Sequence, residues 1–295
     1  MLLALAAPLP AADILYVSMG NNTIVSYDTT SGVGSTIAAS VNTFASTNLN
    51  SPQGLAFDSS GNLYAANNAD NTISKFNASG SYLSNISSNL NGPTGLAFDA
   101  SGNLYAANPN TGTISKFNAS GAYVSNITGN LDATEGLAFD ASGNLYAANL
   151  GGSTISKFNA SGTYLSSISS NLNLPRGLAF DSSGNLYASN MNGNTISKFN
   201  ASGGYVSNIS SNLNVPVGLA FDSSGNLYAA NLGDNTISKY NASGAFLTSW
   251  STGTAMPYYL AFNPVTVPEP STYALATIAT GVMAYLARRR KARTA

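Results

Sequence analysis

Apolar residues in this chain fall in short runs, not at helical spacing. From Ile14 onward, runs rich in Leu, Tyr, Phe, Ile and Ala alternate with clusters of Gly, Asn, Ser and Asp. Short apolar runs bounded by turn formers predict β-strands. The runs recur: the Leu of a GLAF-type motif stands at Leu55, Leu96, Leu137, Leu178, Leu219 and Leu260, 41 residues apart each time. Each unit reads GLAFD, a DSSGN-type turn, LYAAN, a variable loop, TISKF, an NASG turn and a YLSNIS-like segment. That is four strands, here lettered A to D in chain order. Four strands in a unit of this length is propeller-blade spacing, and one such sheet cannot bury both faces without like neighbours.

The chain is out of phase with its own blades. It opens with a B strand (Ile14–Ser18), a C strand (Thr23–Tyr27) and a looser D near Ile37–Phe44, and it ends the repeats with a lone A at Tyr259–Asn263. Five blades are complete and a sixth is assembled from both ends. An open solenoid has no use for that offset, whereas a ring is locked by it. The expected fold is therefore all-β, a six-bladed β-propeller over 13–263 with four antiparallel strands per blade. Its closure pairs the N-terminal strands B, C and D with the C-terminal strand A.

The ends of the chain have another character. Residues 1–12, containing LLALAAPLPAA, read as the remnant of a secretory signal peptide without its basic start. In the segment 264–295, VPEPST at 267–272 precedes a largely apolar stretch, 273–287, and a basic tail, 288–295, that opens RRRK. A helix over 273–287 spans about 22 Å, less than the roughly 30 Å hydrocarbon core. It predicts a short transmembrane helix with the basic tail on the cytoplasmic side. This order of motif, helix and basic end resembles the PEP-CTERM sorting signal, with Pro268, Glu269 and Pro270 as the sorting motif. The resemblance implies an exosortase-type processing enzyme of Gram-negative bacteria as partner. It also implies membrane attachment before processing, and a final place in the cell envelope, outer surface or extracellular matrix.

Composition narrows the chemistry. Charged residues make up 8% of the chain, and His and Cys are absent. No disulfide, thiol nucleophile, Ser-His-Asp triad or Cys/His zinc site can be built, and no cofactor is implied. Outside the basic tail six basic residues face twelve acidic ones, which excludes the basic patch of a nucleic-acid binder.

Within the units, the order GLAFD…GNLYAAN…TISKF resembles the NHL-repeat propellers, and more loosely the gluconolactonase-type and streptogramin-lyase-type propellers. The acidic residue common after strand B in such blades is Asn here, at Asn67, Asn108, Asn149, Asn190 and Asn231. The lyases also depend on histidines that this chain lacks, so their metal and catalytic roles are not carried over.

Most repeated polar residues read as scaffold. Asp58 and its equivalents head A–B turns, where an Asx side chain bonds following backbone N–H groups, and DSSGN lacks the alternating acids of a calcium loop. Asn77 and its equivalents open hairpin turns and also match a glycosylation sequon. Lys75 and its equivalents in four further blades are expected to solvate blade faces and blunt edges. Trp250 stands where other blades carry Ile86 and Ile127, which reads as core filling.

A localised site is expected where near-identical repeats differ. The residue before strand A is Gln53, Thr94, Glu135, Arg176, Val217 or Tyr258, and the residue after the strand-B Asn is Asn68, Pro109, Leu150, Met191 or Leu232, with Met19 in the composite blade. D–A and B–C loops of a meander emerge on one face, so both sets are expected to ring one mouth of the central channel. There they would take a glycan, peptide or small molecule. Glu135 and Arg176, in adjacent blades, are expected to pair at a partly solvated mouth. The expected role is a non-enzymatic binding or scaffold module; the alternatives are a sugar-acting hydrolase or lyase, which needs a carboxylate pair drawn from Asp70, Asp132, Glu135 and Asp234, and a purely structural coat protein.

Overall fold

The LYAAN strands are buried at every position, on both faces of the sheet, and that property dictates the architecture. Alternate residues of one strand must pack against two different neighbouring sheets. The computed structural model describes residues 13–29 and 42–263 and answers this with a ring of six four-stranded antiparallel sheets. The chain starts with β1 (Ile14–Met19), β2 (Thr23–Asp28) and β3 (Asn42–Ala45). Blade one follows as β4 (Pro52–Phe57), β5 (Leu63–Asn67), β6 (Thr72–Phe76) and β7 (Tyr82–Ile86). Blade two is β8 (Leu96–Phe98), β9 (Leu104–Asn108), β10 (Thr113–Phe117) and β11 (Tyr123–Thr128). Blade three is β12 (Thr134–Phe139), β13 (Leu145–Asn149), β14 (Thr154–Phe158) and β15 (Tyr164–Ile168). Blade four is β16 (Pro175–Phe180), β17 (Leu186–Asn190), β18 (Thr195–Phe199) and β19 (Tyr205–Ile209). Blade five is β20 (Pro216–Phe221), β21 (Leu227–Asn231), β22 (Thr236–Tyr240) and β23 (Phe246–Ser251), and β24 (Pro257–Phe262) ends the propeller.

Blade six has the strand order β24-β1-β2-β3, so the two ends of the ring are hydrogen-bonded into one sheet. Leu15 pairs with Phe262, Tyr16 with Ala261 and Val17 with Leu260. The last strand begins at Pro257, earlier than the expected Tyr259, because pairing resumes at Met19 with Pro257 after a bulge. The D strand of this blade is β3, later than expected; much of the proposed 37–44 span lies outside the described residues. So do the predicted signal-peptide remnant, sorting motif, apolar helix and basic tail. Among the described residues no helix is long and apolar enough to cross a membrane.

The core is distributed between blades. Between blades one and two, Tyr64, Ala66 and Ile73 pack against Leu96, Leu104, Ala106 and Phe117. Equivalent clusters fill each of the other junctions. Phe76, Phe117, Phe158 and Phe199 are fully buried, each worth about 1.5–3 kcal/mol against exposure. Toward the axis the A strands converge. Gly54 N–H donates to Thr94 O at 3.0 Å and Gly95 N–H to Glu135 O at 2.8 Å. A Cβ on Gly54 would overlap the Thr94 carbonyl oxygen, so the glycine of GLAF is demanded by close backbone approach.

Candidate functional site

The variable residue before the GLAF glycine does not lie in an exposed loop. In blade one Pro52 pairs with Asn67 and Leu55 with Ala65, so Gln53 and Gly54 together oppose one residue, Ala66. The same register shift recurs at Glu135, Arg176, Val217 and Tyr258. Such a bulge bends the strand and re-aims its side chains. The consequence is burial: Gln53 is 6% exposed, Thr94 3% and Val217 0%. The expectation of a partly solvated mouth at these positions is corrected, since the bulge turns them inward.

They meet at the axis. Arg176 in blade four donates through Nη2 to Gln53 Oε1 at 3.0 Å, and blade one is the opposite blade of the ring. Arg176 Nε lies 3.5 Å from Glu135 Oε2, and the two side chains are 13% and 12% exposed. The guanidinium also sits 5.8 Å from the Tyr258 ring centroid. The expected ion pair therefore forms, but as a buried one. Burial pushes the Glu135 carboxyl above the usual carboxylate range, against the pull of Arg176 and a bond with Thr94. For Arg176, burial acts to lower the pKa, but Tyr259 and Glu135 outweigh it and keep the charge. Tyr259 takes the place of the axial glycine in the composite blade; burial holds its phenol well above its ordinary value. Glu135 Oε2, Arg176 Nε and the Tyr259 hydroxyl are buried without a hydrogen bond. The arrangement can brace four blades around one cation.

The D–A and B–C loops do share a face, where they lace neighbouring blades. Asn22 Oδ1 accepts from Ser51 N–H at 2.7 Å, Asn71 Oδ1 from Gly92 N–H at 2.6 Å and Asn194 Oδ1 from Val215 N–H at 2.7 Å. Asn68 donates to Gly92 O at 2.9 Å. Leu150 is half-buried, and Pro109 likewise, while Met19, Met191 and Leu232 join Val217 in the apolar cluster between blades five and six. Within the second variable set Met19, Met191 and Leu232 thus form one apolar side, and Asn68 is the single polar member. Asp70, Asp132 and Asp234 lie in loops of this face, with Asp70 and Asp234 accepting from Thr72 and Thr236 at 2.9 and 2.7 Å. Among the described residues the one cation near the mouth, Arg176, is buried against Glu135, which leaves the loop carboxylates of Asp70, Asp132 and Asp234 at the rim.

The repeated polar residues find partners that the pattern alone did not reveal. Asp58 Oδ1 accepts from Ser60 N–H and Asn62 N–H, as expected of an Asx turn. Lys75 does more than solvate a face: its ammonium is 3.3 Å from Asp58 and 4.9 Å from the Tyr64 ring centroid. This Asp–Lys–Tyr column repeats in all five complete blades. Asn67 donates to Thr72 and Ser74 and accepts from Asn50 N–H. An ionised acid accepts only, so the amide suits a position that must also donate. Trp250 packs edge-on to Tyr27 and Tyr228 at 5.7 and 6.1 Å, as core. Among the described residues no cluster of acidic side chains could hold a metal ion.

Comparison with known proteins supports the two halves of this description. Residues 266–291 match the PEP-CTERM protein-sorting motif. No curated protein matches the chain. A chain of a nidogen/laminin complex superposes with TM-score 0.74 at 18% identity, covering 85% of this chain and 98% of its own. The virginiamycin B lyase of Staphylococcus aureus gives TM-score 0.63 at 14% identity, covering 83% and 84%. A protein of unknown function from Bacteroides caccae gives 0.68 at 15%, covering 86% and 100%. At these identities the likeness is one of fold. The chain is a six-bladed β-propeller that carries a bacterial PEP-CTERM sorting signal for export to the cell surface.

Proposed function

We propose that the protein is a non-enzymatic binding or scaffold module of the bacterial cell envelope, outer surface or extracellular matrix, of the Gram-negative type, with its ligand held at the loop-lined mouth. One observation carries the reading: the charged groups at the axis are committed to each other. Arg176 is taken up by Gln53, Glu135 and Tyr258, which leaves no free acid–base pair there. A histidine-to-alanine variant of the similar S. aureus lyase is catalytically inactive, and this chain has no histidine.

The mouth suits a neutral or cationic ligand, such as a glycan, a basic peptide or a small amine. Its rim offers asparagine amides and the carboxylates of Asp70, Asp132 and Asp234, and its apolar side offers Met191 and Leu232. β24 starts beside the mouth, where Met256 O accepts from Gly20 N–H, and ends at Phe262 opposite Leu15 in β1. An exosortase-type enzyme is the processing partner on this reading.

The test is a thermal-shift screen of the full chain against neutral and cationic glycans, peptides and metabolites. A stabilising ligand should lose its effect in an Asp132→Lys, Asp234→Lys variant. Turnover of a screened compound, abolished by Glu135→Gln, would replace binding with catalysis.

A further inference from the structure

Around the perimeter, far from the mouth, each of the five complete blades presents the same surface to solvent. Strand D of every complete blade begins with an aromatic and an aliphatic residue that are both exposed. In blade two these are Tyr123, 40% exposed, and Val124, 51%; in blade three Tyr164, 38%, and Leu165, 50%. The same exposed pair thus recurs at one place in five successive blades, a surface repeated at the spacing of the blades.

The surface is rigid. Each aromatic ring stands edge-on to a buried phenylalanine or tyrosine of strand C, with centroids 6.0–6.2 Å apart. It is also unsuited to strand addition. Phe117 pairs with Tyr123 but Lys116 with Ser125, so Val124 is the extra residue of a bulge, and the same bulge recurs in each complete blade. Bulges on outer strands twist the edge away from a second sheet. A partner must therefore contact side chains and not the backbone ladder.

Beside the ridges run grooves between blades. One of about 250 Å³ lies between blades two and three, lined by Tyr105, Lys116, Asn126 and Thr128 and closed by the turn at Ser161. Its equivalent between blades three and four, about 380 Å³, is lined by Tyr146, Lys157, Ser167 and Ser170 and closed by Ser202. The lysine in each floor faces its aspartate at 3.9 and 3.5 Å, so the grooves carry paired charge and no excess. Hydroxyls, an amide and a fixed aromatic beside a charge-balanced floor match polyhydroxylated, uncharged ligands. The composite blade breaks the pattern, with Ser26 for lysine and Asn263 for aspartate.

We propose that the perimeter is a set of equivalent binding sites for a neutral polysaccharide with a short repeating unit. Repetition is the argument for a polymer. One groove alone binds weakly, and a chain that reaches a second groove gains by effective concentration without a new kind of contact. This set is separate from the mouth, and its success or failure leaves the mouth reading untouched.

Affinity electrophoresis of the full chain in a non-glycosidic detergent tests it, with soluble β-glucan, dextran, their trisaccharides and polygalacturonate as probes. At least one neutral polymer should retard the protein about tenfold or more strongly than its trisaccharide does, and polygalacturonate should not retard it. Tyr82→Ser, Tyr123→Ser, Tyr164→Ser and Tyr205→Ser together should abolish retardation. So should Leu83→Glu, Val124→Glu, Leu165→Glu and Val206→Glu, which change only half-exposed bulge residues and keep the rings. Asp132→Lys at the mouth should leave it unchanged. The proposal is overturned if neither neutral polymer is bound, if both quadruple variants bind as the parent does, or if the surface instead drives concentration-dependent self-association that these variants remove.

Discussion

The perimeter and the axis of the ring use one repeat in opposite ways. Away from the channel mouth Asp–Lys–Tyr columns, NASG turns and exposed ridges recur blade after blade. At the axis the corresponding residues are Gln53, Thr94, Glu135, Arg176, Val217 and Tyr258, no two alike. Geometry explains the contrast. Perimeter positions are held apart by the width of the blades and can be identical without meeting. Axial positions converge, and six copies of one side chain would put like charges together or overfill the space. Divergence at the axis is thus a packing requirement, met by one cation, one anion, and neutral groups that complete their contacts. The composite blade belongs to the same logic: Tyr259 fills room that five glycines leave.

The largest test of this contrast is loss of the closing strand. Ending the chain after Met256 removes Tyr258 and Tyr259 from the axis and leaves β1 as an open edge. Urea unfolding should lose its single cooperative transition, a change on the scale of the whole stability, about 5–15 kcal/mol. An unchanged unfolding curve would contradict closure. A smaller effect separates axis from perimeter within one blade. Gly54→Ala drives a Cβ into the Thr94 carbonyl and should cost about 2–4 kcal/mol in chemical denaturation. Lys116→Met, at the perimeter, should cost no more than about 1 kcal/mol, because its ion pair is partly solvated.

Acid should act mainly on the repeated A–B turns. Burial opposes ionisation of Asp58, Asp99, Asp140 and Asp181, but bonds from the turn asparagines and serines, with the lysines, outweigh it and hold these carboxyls below their usual value. Their contribution is complete above the ordinary carboxylate range and is lost as pH falls through it to the depressed folded values. Glu135, raised by burial, runs the other way and favours the fold more in its protonated form. The melting temperature should fall on acidification, and fall further in Glu135→Gln, which lacks the opposing contribution.

The ring was readable because its signals are periodic. The 41-residue spacing, the strand count and the offset of A from B identify a closed propeller before any coordinate is known. What was not readable is where pairing slips. Gln53 looks like a loop residue beside GLAF, and only the register shift from Pro52↔Asn67 to Leu55↔Ala65 buries it. The partners of the lysines are hidden from the sequence for a similar reason. Lys75 pairs across strands with Tyr64, and Tyr64 with Ala56, which brings Asp58 within reach of a side chain 17 residues away. Alternation predicts which face a residue takes but not which partners meet there. The axial site was legible as variation; its composition as a brace needed the geometry, because Arg176 and Gln53 are 123 residues apart.

That contact is also the most direct check on the convergence of the blades. A double-mutant cycle with Arg176→Met and Gln53→Met, read by urea unfolding, measures coupling between opposite sides of the ring. Arg176→Met alone leaves Glu135 buried without its cation and should cost about 3–5 kcal/mol. Convergence predicts that the two substitutions together fall short of their sum by about 1 kcal/mol or more, since the second removes a bond already lost. Additivity to within about 0.3 kcal/mol would show that the two residues do not share the axis, and would contradict the account.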